Sequence, residues 1–359
     1  MTSNDPGHID NLSEEEDAYL RGYWMALFDA IAEATSDQTA ETGSTENVLK
    51  SPLMEEFWLA CAHDRPDQLM LRYLRARKWD VDKAVAMVMA TLNWRKEFGV
   101  RNVLEVGERG LDLSELQSGK SYFHGVDCNG RPCCYVHVQL HDKNTVDREK
   151  TKALTVLTLE TGRLVLEPPQ EMATIIFDMT NFGMKNMDYD FLKFLLTCMQ
   201  DYYPESLGGA LVVNAPWIFN GCWTIIRPWL DPVVVSKVHF IKSSELFNYV
   251  DEKQIPERLG GSSTNFVYLP PSAEEEKEYQ RWRADKEGSA EAWTKYRAAA
   301  ERFGGLTAAW ARGDMDKVTD RREAERNLKD AYYALSPYLR TKTVYHRRGV
   351  INDPGFSRH

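Results

Sequence analysis

Between about residues 120 and 265 the chain alternates short, β-rich apolar runs with longer amphipathic stretches. PCCYVHV (132–138), TIIFDM (174–179), ALVVNAP (210–216) and KVHFI (237–241) have the length and branched or aromatic content of buried strands. The stretches between them predict helices over 148–166, 188–202, 218–230 and 245–250, the second stopping before Pro204 because a residue preceding proline avoids the helical region. Such alternation predicts one sheet with helices packed on it, an α/β sandwich. Upstream, Asp80 is placed to cap a helix bearing Val81, Ala84, Val85, Val88, Met89 and Leu92 at three- and four-residue steps, with Gly99 ending it. These signals predict a helical lobe over residues 51–110 ahead of a main domain over 115–270.

The flanks read differently. Residues 1–50 carry an acidic run (Glu14, Glu15, Glu16, Asp17), a candidate helix near 19–33 and the Ser/Thr-rich stretch TSDQTAETGSTEN, which together predict an acidic, partly disordered arm. After Pro270 and Pro271, an Ala-rich charged segment carries Tyr279, Trp282, Trp293, Tyr296, Phe303 and Trp310. It predicts a helical extension over 272–345, either a support packed on the main domain or a docking surface for a protein partner or a membrane, followed by a flexible tail over 346–359.

Composition narrows the function class. A net charge of −10 and a pI near 5.4 oppose general nucleic-acid binding, which needs accumulated Lys and Arg, so any basic site must be local. The apolar runs break off well short of the ~20 residues of a spanning helix. The polar, acidic opening lacks a basic-then-apolar leader pattern, which predicts a cytoplasmic protein. The six cysteines (61, 128, 133, 134, 198, 222) show neither paired framework nor zinc spacing and are expected to be buried thiols. No G-x-S-x-G, Walker A, G-x-G-x-x-G or H-E-x-x-H sequence is present, which predicts a protein without catalytic activity. His137 and His141 would flank a strand end without a completing ligand, so no metal is expected.

One segment stands out. Ile218, Phe219, Cys222, Trp223, Ile225, Ile226, Trp229 and Leu230 give the predicted 218–230 helix a large apolar face, with Gly221 and Pro228 weakening its regularity. Periodicity alone does not distinguish a core helix from the wall of a cavity.

The motifs in order decide how this is read. LMLRYLRARKWDVDKAVAMVMATLNWRKEFGV, VDCNGRPCCYVHV, TIIFDMTNFGMKNMD, FLKFLLTCMQDYYPESLGGALVVNAPWIF, WTIIRPWLDPVVVSKVHFIKS and IPERLGG resemble, in order and spacing over about residues 60–265, the CRAL-TRIO lipid-binding family and within it the fungal phosphatidylinositol-transfer proteins. The resemblance implies an α/β fold in which a mixed sheet lines a hydrophobic pocket closed by a movable gate. The gate falls on the apolar helix, and Phe219, Trp223, Ile226, Trp229, Leu230, Val234, Ala173, Ile175, Phe177 and Val213 are the implied gate and pocket lining. Lys237 of VSK matches a lysine that meets the lipid phosphate, Glu205 of YYPES a carboxylate that meets inositol hydroxyls, and Arg77 and Lys78 of LRARKWD a basic pair near the head group. Two departures bear on the cargo. Val234 stands where phosphatidylinositol binders carry a hydroxyl. Ala173 and Ile175 stand where dual-ligand members supply hydroxyls to phosphatidylcholine, and where a haem-binding branch supplies His and Tyr, so neither phosphatidylcholine nor haem is expected.

The expected function is therefore a carrier with no cofactor beyond its bound lipid, exchanging a phospholipid, phosphatidylinositol foremost, at a transiently contacted membrane. The alternatives are a carrier of a less polar lipid, such as a sterol precursor or squalene-like molecule, and an interaction module with a vestigial pocket.

Overall fold

The structure, a computed structural model, describes residues 6–36, 45–166 and 168–357. Most of the Ser/Thr-rich stretch of the expected arm lies outside the described residues. Two compact units emerge. One comprises Val106–Pro270 with Lys342–Ile351, and the other takes the chain before residue 106 together with Pro271–Thr341 and the last residues.

The first unit is built on five strands, β1 (Ser121–Val126), β2 (Pro132–His137), β3 (Ala173–Asp178), β4 (Leu207–Val213) and β5 (Val238–Ile241), in the spatial order of their numbers. The β1–β2 pair is antiparallel and the others are parallel, giving a mixed sheet. β1 was not among the runs singled out by apolarity, since SYFHGV carries Ser, His and Gly. It is placed by its turn: the Asp127 carboxylate accepts from the amides of Asn129 (2.8 Å) and Arg131 (3.0 Å), and Gly130 takes the left-handed conformation that closes the hairpin.

One face of this sheet is close-packed. Tyr122, Tyr135, Ile176, Leu211 and Val213 meet Leu246, Val250, Ile255 and Leu259 from the turns after β5. Its polar groups are paired. His137 sits between Asp178 (2.9 Å) and the Tyr122 hydroxyl (3.2 Å), and the Thr174 hydroxyl donates to Asp127 (2.7 Å). Burial alone would raise Asp178, but hydrogen bonds from His137 and Thr180 hold it below its ordinary value; burial pushes Tyr122 up to about 12.

The segment Lys342–Ile351 belongs to this unit rather than forming a tail. Glu108 accepts from the Val344 amide (2.8 Å) and the Tyr268 hydroxyl (2.9 Å) and pairs with Arg347, while the Phe123 amide donates to the Tyr345 hydroxyl (2.9 Å). Val344–Arg347 is helical and Ile351 is buried, because the chain buys back its ordering entropy through these contacts.

The second unit corrects the expectation at both flanks. The acidic run opens a helix, Glu14–Ser36, through a reciprocal cap in which Glu16 donates its amide to the Ser13 hydroxyl (3.2 Å) and its carboxylate accepts the Ser13 amide (2.8 Å). Carboxylates in a first turn suit the positive end of the helix dipole. Its face of Leu20, Tyr23, Trp24, Leu27 and Ile31 shares one core with Phe57 and Trp58, and with Tyr296, Phe303 and Trp310 from the late helices Lys286–Ala311 and Val318–Leu339. Among the described residues, the helix of the expected arm and the late helices of the expected extension are thus parts of one core.

Asp67 lies in the middle of that core. It accepts from the Trp24 indole (2.8 Å) and twice from Arg321 (2.6 and 2.8 Å), whose guanidinium lies 4.3 Å from the Trp310 ring centroid. Burial would raise Asp67, but Arg321 holds it below its ordinary value of 3.8. Arg321→Ala strands a buried carboxylate and should cost about 3–5 kcal/mol in urea unfolding. The sign of the pH dependence follows. Because the folded value is depressed, the wild-type contribution is present above pH 3.8 and is lost as the pH falls through the folded value, a slope that should vanish or invert in Arg321→Ala.

Candidate functional site

The other face of the sheet is built differently. Register places Cys134, Ile175, Ala210 and Val238 in one row, and Val136, Phe177, Val212 and Phe240 in the next. Helices Arg148–Val165, Tyr189–Thr197 and Phe219–Ile226 accompany this face. Phe123 of β1 meets Gly162 of the first, and Phe177 and Val212 share a cluster with the other two. β3 is the central strand, so both its faces would ordinarily be sealed. Thr174, Ile176 and Asp178 on the packed face are buried, yet Ala173, Ile175 and Phe177 on the helix-bearing face are only half-buried. The helix Tyr189–Thr197 has six apolar residues among its nine and no fully buried one. Apolar side chains left partly open between a sheet and its helices mark a layer that is not close-packed, unlike an ordinary protein interior.

The expected gate residues come together here. Phe219 and Ile226 are buried and Trp223, Trp229 and Leu230 half-buried, in one cluster with Phe177, Val212, Tyr189, Leu192 and Leu196. The helix is shorter than its apolar pattern, running Phe219–Ile226 and continuing as a 3-10 turn, Arg227–Trp229. Pro228 forces this, since it cannot donate to the helical ladder. Just ahead of it, Trp217 is 84% exposed, and Ile225 projects outward on the helix.

Two of the four expected head-group residues lie at the amino end of the strands. Lys237 follows the short helix Pro232–Ser236 and donates its ammonium to the Leu207 carbonyl (2.7 Å), at the start of β4. Glu205 lies two residues before that carbonyl, in a left-handed conformation (φ 55°) that non-glycine residues adopt at a cost of roughly 1–2 kcal/mol. The neighbouring amide of Ala173 donates to the Ser206 carbonyl (2.9 Å), so Ala173, Glu205 and Lys237 share the amino end of β3 and β4. Val234 lies in the turn of helix leading to Lys237, whose amide donates back to the Val234 carbonyl (3.0 Å). Arg77 and Lys78 belong to the helical unit. Arg77 caps the helix Pro66–Ala76, and exposed Lys78 follows it with φ 54°.

Val213 is a correction. It pairs with Asp178 and packs with Tyr122, Tyr135 and Ile176, on the face away from the helices. Side chains alternate along a strand, so a position one residue from Val212 points the other way. Conversely, Tyr189, Leu192 and Leu196 join the gate cluster without having been singled out; their signal was the amphipathic YDFLKFLLT run. Of the cysteines, Cys128 in the β1–β2 turn is exposed and the other five are buried. His137 is occupied by Asp178 and Tyr122, and His141 stacks on Phe191. Among the described residues no group of three His, Cys, Asp or Glu is placed to hold a metal, and no helix is long and apolar enough to cross a membrane.

A CRAL/TRIO domain model matches residues 116–261, and a CRAL/TRIO N-terminal domain model matches 26–89. The chain is 41% identical over 306 residues to the CRAL-TRIO domain-containing protein C3H8.02 of Schizosaccharomyces pombe, covering 82% of this chain and 68% of that one. It is 35% identical over 314 residues to the phosphatidylinositol transfer protein CSR1 of Eremothecium gossypii, covering 83% of this chain and 71% of that one. A crystal structure of Sfh5 matches the fold with a TM-score of 0.52 at 19% identity, covering 75% of this chain and 98% of that one. The chain belongs to the CRAL-TRIO family of lipid-binding proteins.

The unequal faces of the sheet lead to a paired prediction, with Ile175 on β3 and Val213 on β4. Ile175→Phe, on the open face, should change stability by no more than about 0.5 kcal/mol, whereas Val213→Phe, on the packed face, should overpack and cost about 1–3 kcal/mol. Urea midpoints of the two variants check this, and equal losses would show both faces to be close-packed.

Proposed function

We propose that the protein is a non-catalytic cytoplasmic carrier that binds a phospholipid, phosphatidylinositol foremost, and exchanges it at membrane surfaces when Phe219–Ile226 and the turn after it swing away as a gate. The observation that carries this reading is the half-open apolar face of Ala173, Ile175 and Phe177 on a central strand, with Lys237 and Glu205 at one end of it. An unfilled apolar layer forfeits the dispersion contacts of its lining. Acyl chains restore them, and each methylene withdrawn from water is worth about 0.8 kcal/mol. The Lys237 ammonium, now satisfied by one backbone carbonyl, is the group that would meet a phosphate, and in a poorly solvated mouth that attraction far exceeds its value in bulk water. Glu205 would accept from inositol hydroxyls. That CSR1 of Eremothecium gossypii is a phosphatidylinositol transfer protein supports the choice of cargo.

A less polar cargo is favoured by a separate observation. Val234, Ala173 and Ile175, at the positions where family members carry polar groups for the head group, have side chains that donate no hydrogen bond.

Mass spectrometry of lipids carried through purification, with transfer of labelled phosphatidylinositol between vesicles, tests the proposal; protein that arrives empty and moves no lipid would sink it. Lys237→Ala should weaken phosphatidylinositol loading roughly 10- to 100-fold, the worth of a charge-assisted hydrogen bond, and leave retention of a squalene-like hydrocarbon unchanged. Val234→Thr should raise phosphatidylinositol affinity about fivefold if the absent hydroxyl is what limits it. If neither substitution moves phosphatidylinositol binding while a neutral lipid co-purifies, the cargo is the less polar one.

A further inference from the structure

Two short chain segments run side by side between the gate and the polar end of the site, and they are tied at both ends. The first covers residues 200–207 and includes Glu205; the second covers 229–237 and includes Val234 and Lys237. At the polar end the tie is the Lys237 ammonium on the Leu207 carbonyl (2.7 Å). At the gate end it is a single side chain. The Gln200 amide donates to the Trp229 carbonyl (3.2 Å), and its carbonyl oxygen accepts the Asp231 amide (2.9 Å).

Trp229 and Asp231 flank the point where the gate's 3-10 turn gives way to extended backbone at Leu230, the place where the gate must pivot. Gln200 satisfies one acceptor and one donor there that neither the turn before nor the helix Pro232–Ser236 after it uses. The helix Tyr189–Thr197 pins the Trp229 ring with Tyr189 (centroids 5.9 Å, edge-on) and the Lys193 ammonium (4.9 Å from the ring centroid). Gln200 itself lies in a π-helical turn, Cys198–Tyr202, that ends this helix. Such turns carry wider, weaker hydrogen bonding than an α-helix and recur at functional sites. From that turn the chain passes directly to Tyr203, whose hydroxyl donates to buried Glu160 (2.7 Å), and then to the left-handed Glu205.

We propose that Gln200 is the latch of the gate: it holds the pivot closed and joins it, through six residues of chain, to the carboxylate that reads the head group. This rests on the reading of Phe219–Ile226 as a moving gate. Gln200 is a positioning residue with no contact to the cargo required. Its two hydrogen bonds must break when the pivot opens, and they link that opening to any displacement of Glu205 or Lys237 on capture or release of a head group.

The test is amide hydrogen exchange of the full chain, read separately over 219–236 and over β4. Gln200→Leu removes both hydrogen bonds and should speed exchange across 219–236 about tenfold, with β4 unchanged. Gln200→Glu keeps the acceptor, loses the donor and should fall between. With phosphatidylinositol vesicles as donor and acceptor, both variants should release lipid faster while holding less at equilibrium. Unchanged exchange over 219–236 in both variants would overturn the latch, as would an equal rise over β4, which would mark general loosening. If Gln200→Leu does not fold, the Gln200→Glu profile decides alone. If the gate amides respond but the wild type neither carries nor transfers lipid, the latch stands and the carrier reading falls.

Discussion

A central strand with one face sealed and the other left partly open is the constraint on which the rest of the α/β unit depends. β3 has neighbours on both sides, so its hydrogen bonds give it no freedom to move. Its side chains divide by parity: Thr174, Ile176 and Asp178 inward to a dense layer, Ala173, Ile175 and Phe177 toward the helices. A face that is to admit a guest forgoes much of the close packing that stabilises an ordinary sandwich. The opposite face has to hold the sheet by itself.

The arrangement of that opposite face fits the demand. Large aromatics stack across β1 and β2, with Tyr122 lying 4.4 Å from the Phe266 ring and 5.6 Å from that of Tyr135. The buried polar groups between them are paired among themselves, His137 with Asp178 and Tyr122, and Thr174 with Asp127. A satisfied buried network tolerates few alternative arrangements, because any shift leaves a polar group without its partner in a medium of low dielectric. The register of β1, β2 and β3 is thus specified from the side away from the site. Glu108, anchoring the 342–351 segment, adds a further clamp within the same unit.

Movement, on this account, belongs to the covering layer. The helix Phe219–Ile226 is interrupted by Pro228, is flanked by the 84%-exposed Trp217, and is held at its far end by side-chain bonds from Gln200 rather than by a continuous backbone ladder. Bonds of that kind are individually worth about 1 kcal/mol, which is compatible with the gate proposed above.

Much of this was legible in the linear sequence. Four strands, the helices between them and the interrupted apolar helix follow from local composition and spacing, which act over a few residues, and the CRAL-TRIO family was identified by the resemblance of its ordered motifs. Ser13 with Glu16 was equally local, and the helix they start was available to a closer reading of the acidic run as a capping box. Other features belong to the tertiary structure alone. Whether the 19–33 and 286–339 segments are periphery or core depended on Trp24, Trp58, Phe303 and Arg321 finding one another across hundreds of residues. Val213 and Val212 have the same chemistry, and only the register of β4 against β3 and β5 tells which faces the helices. The bond from Gln200 to the gate pivot joins positions about thirty residues apart, and no periodicity encodes it. Sequence determined which segments are apolar and where the chain turns; the three-dimensional pairing of those segments decided which apolar faces are sealed and which are left open.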